Sequence, residues 1–429
     1  MNVKALLFFG RCCAVLSAVA IALPATAAAV HDGEAVDHPH TEHPHLAASP
    51  TLTIEQVLNA ALRLAPEQSM GDVYQQQATS QQQVSRRMIA GRPRLNASYW
   101  DDQNADDTGL REMELDLEVD LWRWGERSNA QSLARSYASG ADAWRDYQRL
   151  IVVGRLRNAL HQLNASTARR EHAVNAVADA QALLAVSEKR LRAGDISRAA
   201  RMQSEALLLD ARQQLLNADA ELVDAERLYI TLTGLRQRPA QFSETPPARQ
   251  NISTQHPRLR LLLAKRQQQQ DRLNQARHAA AGNTTLAIGV RRERGSNIEP
   301  EIESLGLSLS IPFGGASYTA AASSNAAIAL SDADVELKQA RQQLQQRFHE
   351  VEHELDVIAE SITYAEQSRD LSKRQWQMAK KAFATGESDI RPTIVALQHY
   401  RASQLQWQLL TLRQQALISS LRQTVGETL

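Results

Sequence analysis

The 429-residue chain balances 48 basic against 48 acidic side chains, so no global charge draws it to nucleic acid. Aromatic residues are only 5%, while Gln, Ala, Leu and Arg are abundant, which excludes a thick globular core and suits long helices packed through narrow seams. Cys12 and Cys13 are its only cysteines, and both fall within the leader described next, which leaves no thiol, disulfide or cysteine-metal chemistry behind it.

Residues 1–29 read as a secretory signal. Lys4 supplies the positive start, an apolar run interrupted by Arg11 reaches Leu23, and Ala25-Thr26-Ala27 or Ala27-Ala28-Ala29 offers a cleavage site. A membrane anchor is the rival reading, but the run is short and ends in that small-residue pattern. Residues 30–50 form a polar tail expected to be disordered. It carries His31, His38, His40, His43 and His45 among Asp32, Glu34, Asp37 and Glu42. Imidazole with carboxylate suits zinc, cobalt, nickel, cadmium or copper(II), held weakly because a tail is not preorganised. A plain solvated linker has the same composition.

Helical periodicity starts near Thr51, with Thr51 or Thr53 as cap and Pro66 as an early break. The period changes over 93–122. There Met113, Leu115, Leu117, Val119 and Leu121 alternate with Glu112, Glu114, Asp116, Glu118 and Asp120, the pattern of a strand with one apolar and one acidic face. A weaker strand, Leu95 to Trp100, completes a hairpin. Residues 126–192 contain no proline and read as one helix of roughly 100 Å. Gly194 ends it, and a second helix over 195–233 returns through Leu208, Ala211, Leu215, Ala218, Leu222, Ala225, Tyr229 and Leu232 at 3-4 spacing. A Pro-rich connector spans 235–256.

The order then recurs. Residues 51–234 and 257–429 read as two copies offset by about 190 residues, with Gly386 answering Gly194 and Ile311-Pro312-Phe313-Gly314-Gly315 answering Leu121-Trp122-Arg123-Trp124-Gly125. The second copy has a hairpin over 283–312, with Leu305, Leu307, Leu309 and Ile311 alternating with Ser304, Gly306, Ser308 and Ser310. Long helices follow over 316–384 and 389–425. The two hairpins of one chain cannot close a barrel, which needs about eight strands, and an open sheet in lipid leaves unsatisfied edges. Three chains would supply about twelve strands.

This duplication, the strand-to-helix junctions and the tips Arg192-Ala193-Gly194-Asp195-Ile196-Ser197 and Ala384-Thr385-Gly386-Glu387-Ser388-Asp389-Ile390 resemble the outer membrane efflux protein (TolC-like) family over about 51–427. With the His-rich tail, the likeness points to the heavy-metal branch (cobalt-zinc-cadmium or copper-silver type). The resemblance implies a mainly α fold assembled as a trimer, with a 12-stranded outer-membrane β-barrel continued by a periplasmic α-helical barrel. It implies the passive exit duct of a tripartite system in the Gram-negative outer membrane, with a periplasmic adaptor and an inner-membrane RND transporter as partners. It implies no enzyme activity and no cofactor beyond ions in transit. Export of drugs or other organic solutes is the alternative within the same fold; a soluble periplasmic scaffold or metal-binding protein is the alternative outside it.

In such a barrel Glu112, Glu114, Asp116, Glu118 and Asp120 would line the lumen and favour cations, although barrel interiors are polar in general. Trp122 and Trp124 suit an interfacial girdle or packing at the corner. By resemblance, the tip residues Arg192, Gly194, Asp195, Thr385, Gly386 and Glu387 meet the adaptor; turn chemistry alone also explains the glycines. Some relatives gate this end with aspartates just beyond the second tip. Here Ile390-Arg391-Pro392-Thr393 departs from that pattern, leaving Asp389 and Arg391 as the gate candidates. His349-Glu350-Val351-Glu352-His353 matches the zinc-protease pattern H-E-x-x-H, but it lies inside a long helix with no evident third ligand or cleft. A solvated charged stripe is the better reading of His349 and His353, with an incidental metal perch second.

Overall fold

A computed structural model describes residues 45–429 except 249, 250 and 314. The expected signal at 1–29 lies outside the described residues. The end of the expected tail does not behave as a tail. Ala47–Ser49 forms strand β1, which pairs in parallel with β4, Gln237–Pro239, inside the expected connector. The reason is a buried carboxylate: Glu226 accepts the Leu46 amide at 2.9 Å and lies 3.3 Å from His45 Nδ1.

Helix α1 (Ile54–Leu64) opens on a capping box. Thr53 Oγ1 accepts the Gln56 amide, and Gln56 Oε1 accepts the Thr53 amide at 3.0 Å. It stops at Ala65, which precedes Pro66 and is held extended by it. Helix α2 (Gln68–Arg86) continues to the first hairpin, β2 (Arg94–Asp101) and β3 (Arg111–Leu121). Helix α3 (Glu126–Arg192) is 67 residues long and α4 (Arg198–Thr233) returns beside it. Helix α5 (Pro257–Ala280) leads to the second hairpin, β5 (Thr284–Arg294) and β6 (Ile302–Ser310). Helix α6 (Ala316–Thr385) runs 70 residues and α7 (Ile390–Thr424) returns. Within the hairpin expected over 283–312, β5 follows β3 along its whole length, up to Arg111 opposite Arg294.

The four long strands make one antiparallel sheet in the order β2-β3-β5-β6. Antiparallel helix pairs α3/α4 and α6/α7 extend from it. Their seams use small residues: Ala180 against Ala211 beside Leu208 in one pair, and Ser372 Oγ 2.6 Å from Ser403 Oγ in the other. At roughly 1.5 Å per residue the long helices reach on the order of 100 Å.

The largest core sits where α1, α3, α4 and the connector meet, around Val57, Leu58, Val152, Val153, Leu156, Leu160, Tyr229 and Phe242. One charged side chain runs through its margin. Arg157 is 2% exposed and grips Glu244 of the connector through two bonds of 2.9 and 2.8 Å. It also donates to Gln423 Oε1 at 2.7 Å and to the Glu427 carbonyl at 3.0 Å. Arg422 lies 3.3 Å from the same Glu244 carboxylate. Burial pushes the Glu244 carboxyl up, but the bonds from Arg157 and Ser419 and the charges of Arg157 and Arg422 outweigh it and hold it below the ordinary range. One cluster thus ties α3, the connector and the chain's end together.

Replacing Arg157 by Met leaves that carboxylate buried with half its partners, and should cost about 3–5 kcal/mol, read as a lowered unfolding midpoint. His161, bonded to Ser419 Oγ at 2.7 Å, provides a second check. Burial drives its ring down to about 4, so the unfolded chain binds the proton more readily. Stability should therefore fall as pH drops from about 6.5 toward about 4, and His161→Gln should flatten that part of the profile in pH-dependent thermal melts.

Candidate functional site: the amphipathic sheet and the helical tips

Pairing register decides what the two faces of the sheet carry. Leu95, Ala97 and Tyr99 of β2 stand opposite Leu117, Leu115 and Met113 of β3. Those three stand opposite Ile288, Val290 and Arg292 of β5, and β6 adds Leu309, Leu307 and Leu305. From the level of Leu115 toward the helices that face is apolar across all four strands, and beyond it Arg292 pairs with Glu303; the apolar part is exposed, Leu305 at 75% and Leu307 at 72%. At about 3.3 Å per residue, the 11 residues of β3 are long enough to cross a bilayer core.

The other face collects the acids, with partners not singled out from the sequence. Arg94 pairs with Glu118 and reaches Asp120 Oδ1 at 3.1 Å. Asn96 Nδ2 donates to Asp116 Oδ2 at 2.8 Å and to Glu118 Oε2 at 3.3 Å. Arg291 Nε lies 2.7 Å from Glu112 Oε1. Glu114, opposite Ser98 on one side and Arg291 on the other, has no ion pair within 4 Å among the described residues. The face is thus partly paired: Glu112, Glu118 and Asp120 have arginine partners, Asp116 an amide, and Glu114 neither. Asp120 departs furthest from the expected row: it is 5% exposed, packed over Gly91, where an added Cβ would lie 2.0 Å from its Oδ2. Beside the acids, β5 and β6 contribute Gly289, Ser304, Gly306 and Ser308, which leaves that part of the face nearly flat. Arg94 and Asn96 were legible in principle, since they alternate with Leu95 and Ala97; Arg291 lay just past the alternating run.

The corner between sheet and helices separates the two tryptophans. Trp122 Nε1 donates to the Arg87 carbonyl at 3.0 Å and packs the corner. Trp124 is fully exposed, as is Phe313 at 98% in the other corner. Arg123 Nη1 donates to the carbonyls of His278 and Gly282 at 3.1 and 2.8 Å, joining the first strand-to-helix corner to the second hairpin's entry.

At the far end the chain reverses twice. Gly194 and Gly386 hold φ of +82° and +85°, a conformation in which any side chain is strained, although a Cβ added at Gly194 would point into open space. Arg192, Asp195, Thr385 and Glu387 are all exposed there. Asp389 and Arg391 are also exposed and form no ion pair within the protomer among the described residues; Ile390 between them is 3% exposed and anchors the turn with Phe383, Trp376 and Leu183. The residue that joins the two tips is Arg190, which sequence reading passed over. Its Nη1 donates to the Phe383 carbonyl at 2.9 Å and its guanidinium sits 4.8 Å from that ring. Nothing marks it among the many arginines of the sequence.

His45, as described, serves Glu226; His31, His38, His40 and His43 lie outside the described residues. His349 and His353 are exposed on α6, with His349 Nδ1 3.6 Å from Glu352. Glu350 is occupied by Gln346 at 2.9 Å and Arg347 at 3.3 Å. Among the described residues no group of three or more His, Cys, Asp or Glu is placed to hold a metal ion, and no helix is long and apolar enough to cross a membrane.

No family model and no curated protein matches the chain. Solved structures do. CusC, whose crystal structures describe folding and transmembrane channel formation, is 17% identical over 87% of this chain and 92% of its own, with a TM-score of 0.70. The outer membrane protein VceC of Vibrio cholerae is 16% identical over 87% and 96%, with a TM-score of 0.71. The outer membrane channel CmeC of Campylobacter jejuni is 16% identical over 87% and 85%, with a TM-score of 0.69. At these identities the likeness is one of fold: the chain folds as these channel proteins do.

Arg190→Ala removes the one side chain that hydrogen-bonds tip to tip among the described residues. About 1–2 kcal/mol of local stability should go with it, read as roughly tenfold faster amide exchange at residues 383–389 with the global unfolding midpoint unchanged.

Proposed function

We propose that this chain is the outer-membrane exit duct of a tripartite efflux system. The observation that carries the reading is the sheet: one mainly apolar face, one polar face, and two outer edges, β2 and β6, with no strand partner among the described residues. In lipid such edges must be closed, and three copies close them with about twelve strands. The apolar face then meets the outer membrane and the polar face lines the lumen. The α3/α4 and α6/α7 pairs continue the barrel as a periplasmic tube. Their exposed tips meet an adaptor that links the duct to an inner-membrane RND transporter, and transport energy comes from that transporter. The duct is passive and needs no catalytic residue.

The cargo we assign is heavy-metal cations, supported by the carboxylates Glu112, Glu114, Asp116 and Glu118 on the lumen face and by the imidazole-rich tail. A second reading, organic solutes, draws on Arg94 and Arg291, which neutralise part of that row.

Tolerance of a strain lacking the gene decides between them. Selective sensitivity to zinc, cobalt, cadmium or copper, cured by the restored gene and equally by its Glu350→Gln variant, is the expected result. Sensitivity to dyes, detergents or antibiotics moves the cargo to organic solutes; sensitivity to neither group contradicts the efflux role.

A further inference from the structure

Every charged side chain on the mainly apolar face of the sheet lies at one end of it. Strand pairing puts Asp101 of β2, Arg111 of β3, Arg292 and Arg294 of β5 and Glu303 of β6 on that face, and its other positions on the four strands are uncharged. This is the end away from the helices, since β3 begins at Arg111 and runs toward α3. Between the two ends, the apolar stretch of β3 from Met113 to Leu121 covers about 26 Å of strand, close to the roughly 25 Å apolar band of an outer-membrane barrel. With that band in hydrocarbon, the charged end stands at the level of the lipid headgroups, on the side opposite the helical tube.

Two of the three arginines lack a close carboxylate. Arg111 stands directly opposite Arg294, and Arg292 is the next residue of β5 on the same face. Like charges that face each other across a strand pair repel. Arg292 is paired with Glu303, and Glu301, in the loop just before β6, lies on its side as well. Arg111 Nε is 3.9 Å from Asp101 Oδ2, and that carboxylate is already engaged: Tyr99 Oη donates to Oδ2 at 2.9 Å and the Gln103 amide to Oδ1 at 2.7 Å. Arg294 has no carboxylate within 4 Å among the described residues. Its Nη2 reaches Asn297 Oδ1 at 3.4 Å, and its Nε is buried with no acceptor. Two neighbouring guanidiniums therefore have donors to spare, and Arg111 is 53% exposed. A phosphate monoester suits such a pair. It carries a charge of about −1.5 to −2 and three acceptor oxygens, and each guanidinium can offer it two parallel N–H groups.

We propose that Arg111 and Arg294, with Arg292 beside them, seat a phosphate monoester borne by a lipid of the outward leaflet, a phosphorylated glycolipid of the lipid A type. The proposal rests on the outer-membrane duct reading. The bound phosphate relieves the repulsion between the two arginines. Met113, Val290 and Leu305, just below them on the same face, lie along the lipid's acyl chains. The phosphodiester of a glycerophospholipid carries less charge and matches the pair less well.

Lipid retention by the full protein tests it. Protein extracted from outer membranes and stripped of lipid in detergent is offered diphosphoryl lipid A, fully dephosphorylated lipid A or phosphatidylglycerol, and native mass spectrometry reads the adducts. The diphosphoryl form should be retained about tenfold more than either of the others. Arg111→Gln with Arg294→Gln should lower its retention about tenfold. Arg111→Lys with Arg294→Lys, which keeps the charge but loses the forked donors, should fall between. Arg341→Gln with Arg374→Gln, on exposed positions of α6 far from the sheet, should change nothing. The assembled mass of each variant is recorded alongside. Equal retention of phosphorylated and dephosphorylated lipid A by the unaltered protein overturns the seat and leaves the duct reading intact. So does phosphatidylglycerol retained as well as diphosphoryl lipid A, or undiminished retention by the Gln pair. A chain that does not fractionate with outer membranes overturns both readings.

Discussion

A backbone N–H or C=O facing hydrocarbon without a partner costs several kcal/mol, and a strand edge presents a row of them. Strands β2 and β6 are unpaired edges among the described residues, at the two ends of a sheet one of whose faces is mainly apolar. In the proposed membrane setting, nothing among the described residues of a single copy satisfies both the apolar surface and the open edges. The remaining features of the sheet fit that constraint: flat Ser and Gly positions near one edge, and a partly ion-paired face opposite the apolar one.

The sheet and the helices are one mechanical object. Arg123 bonds the first corner to the entry of the second hairpin, and Arg157 holds the connector and the chain's end against α3. Arg190 holds tip to tip. All three link segments far apart in sequence, and each does so with a guanidinium aimed at carbonyls or a carboxylate, the geometry for which Arg is suited over Lys. A helical pair of on the order of 100 Å would otherwise be joined mainly through narrow seams of Ala, Ser and Leu.

Much of the fold was legible because its signals are local. The period-two run from Glu112 to Leu121 reports a half-apolar strand wherever it stands, and proline-free stretches ending at Gly194 and Gly386 report helices and turns. What escaped depends on register between distant segments. That Arg94 and Arg291 cancel part of the acid row, and that Asp120 turns under the Gly91 segment, follows only once β2 and β5 are laid against β3. That residues 45–50 are held follows only from Glu226, a single buried carboxylate in α4 whose role no spacing marks. The acids of the candidate site are thus legible in the alternation of one strand, while what faces them is not.

The central claim is that copies close the sheet into a water-filled barrel. Native mass spectrometry of protein extracted from outer membranes, with single-channel recording of the same sample in planar bilayers, tests it directly. The account predicts three copies and stable conductance steps. A monomer, or a trimer that leaves bilayers silent under all conditions that open comparable channels, would contradict it.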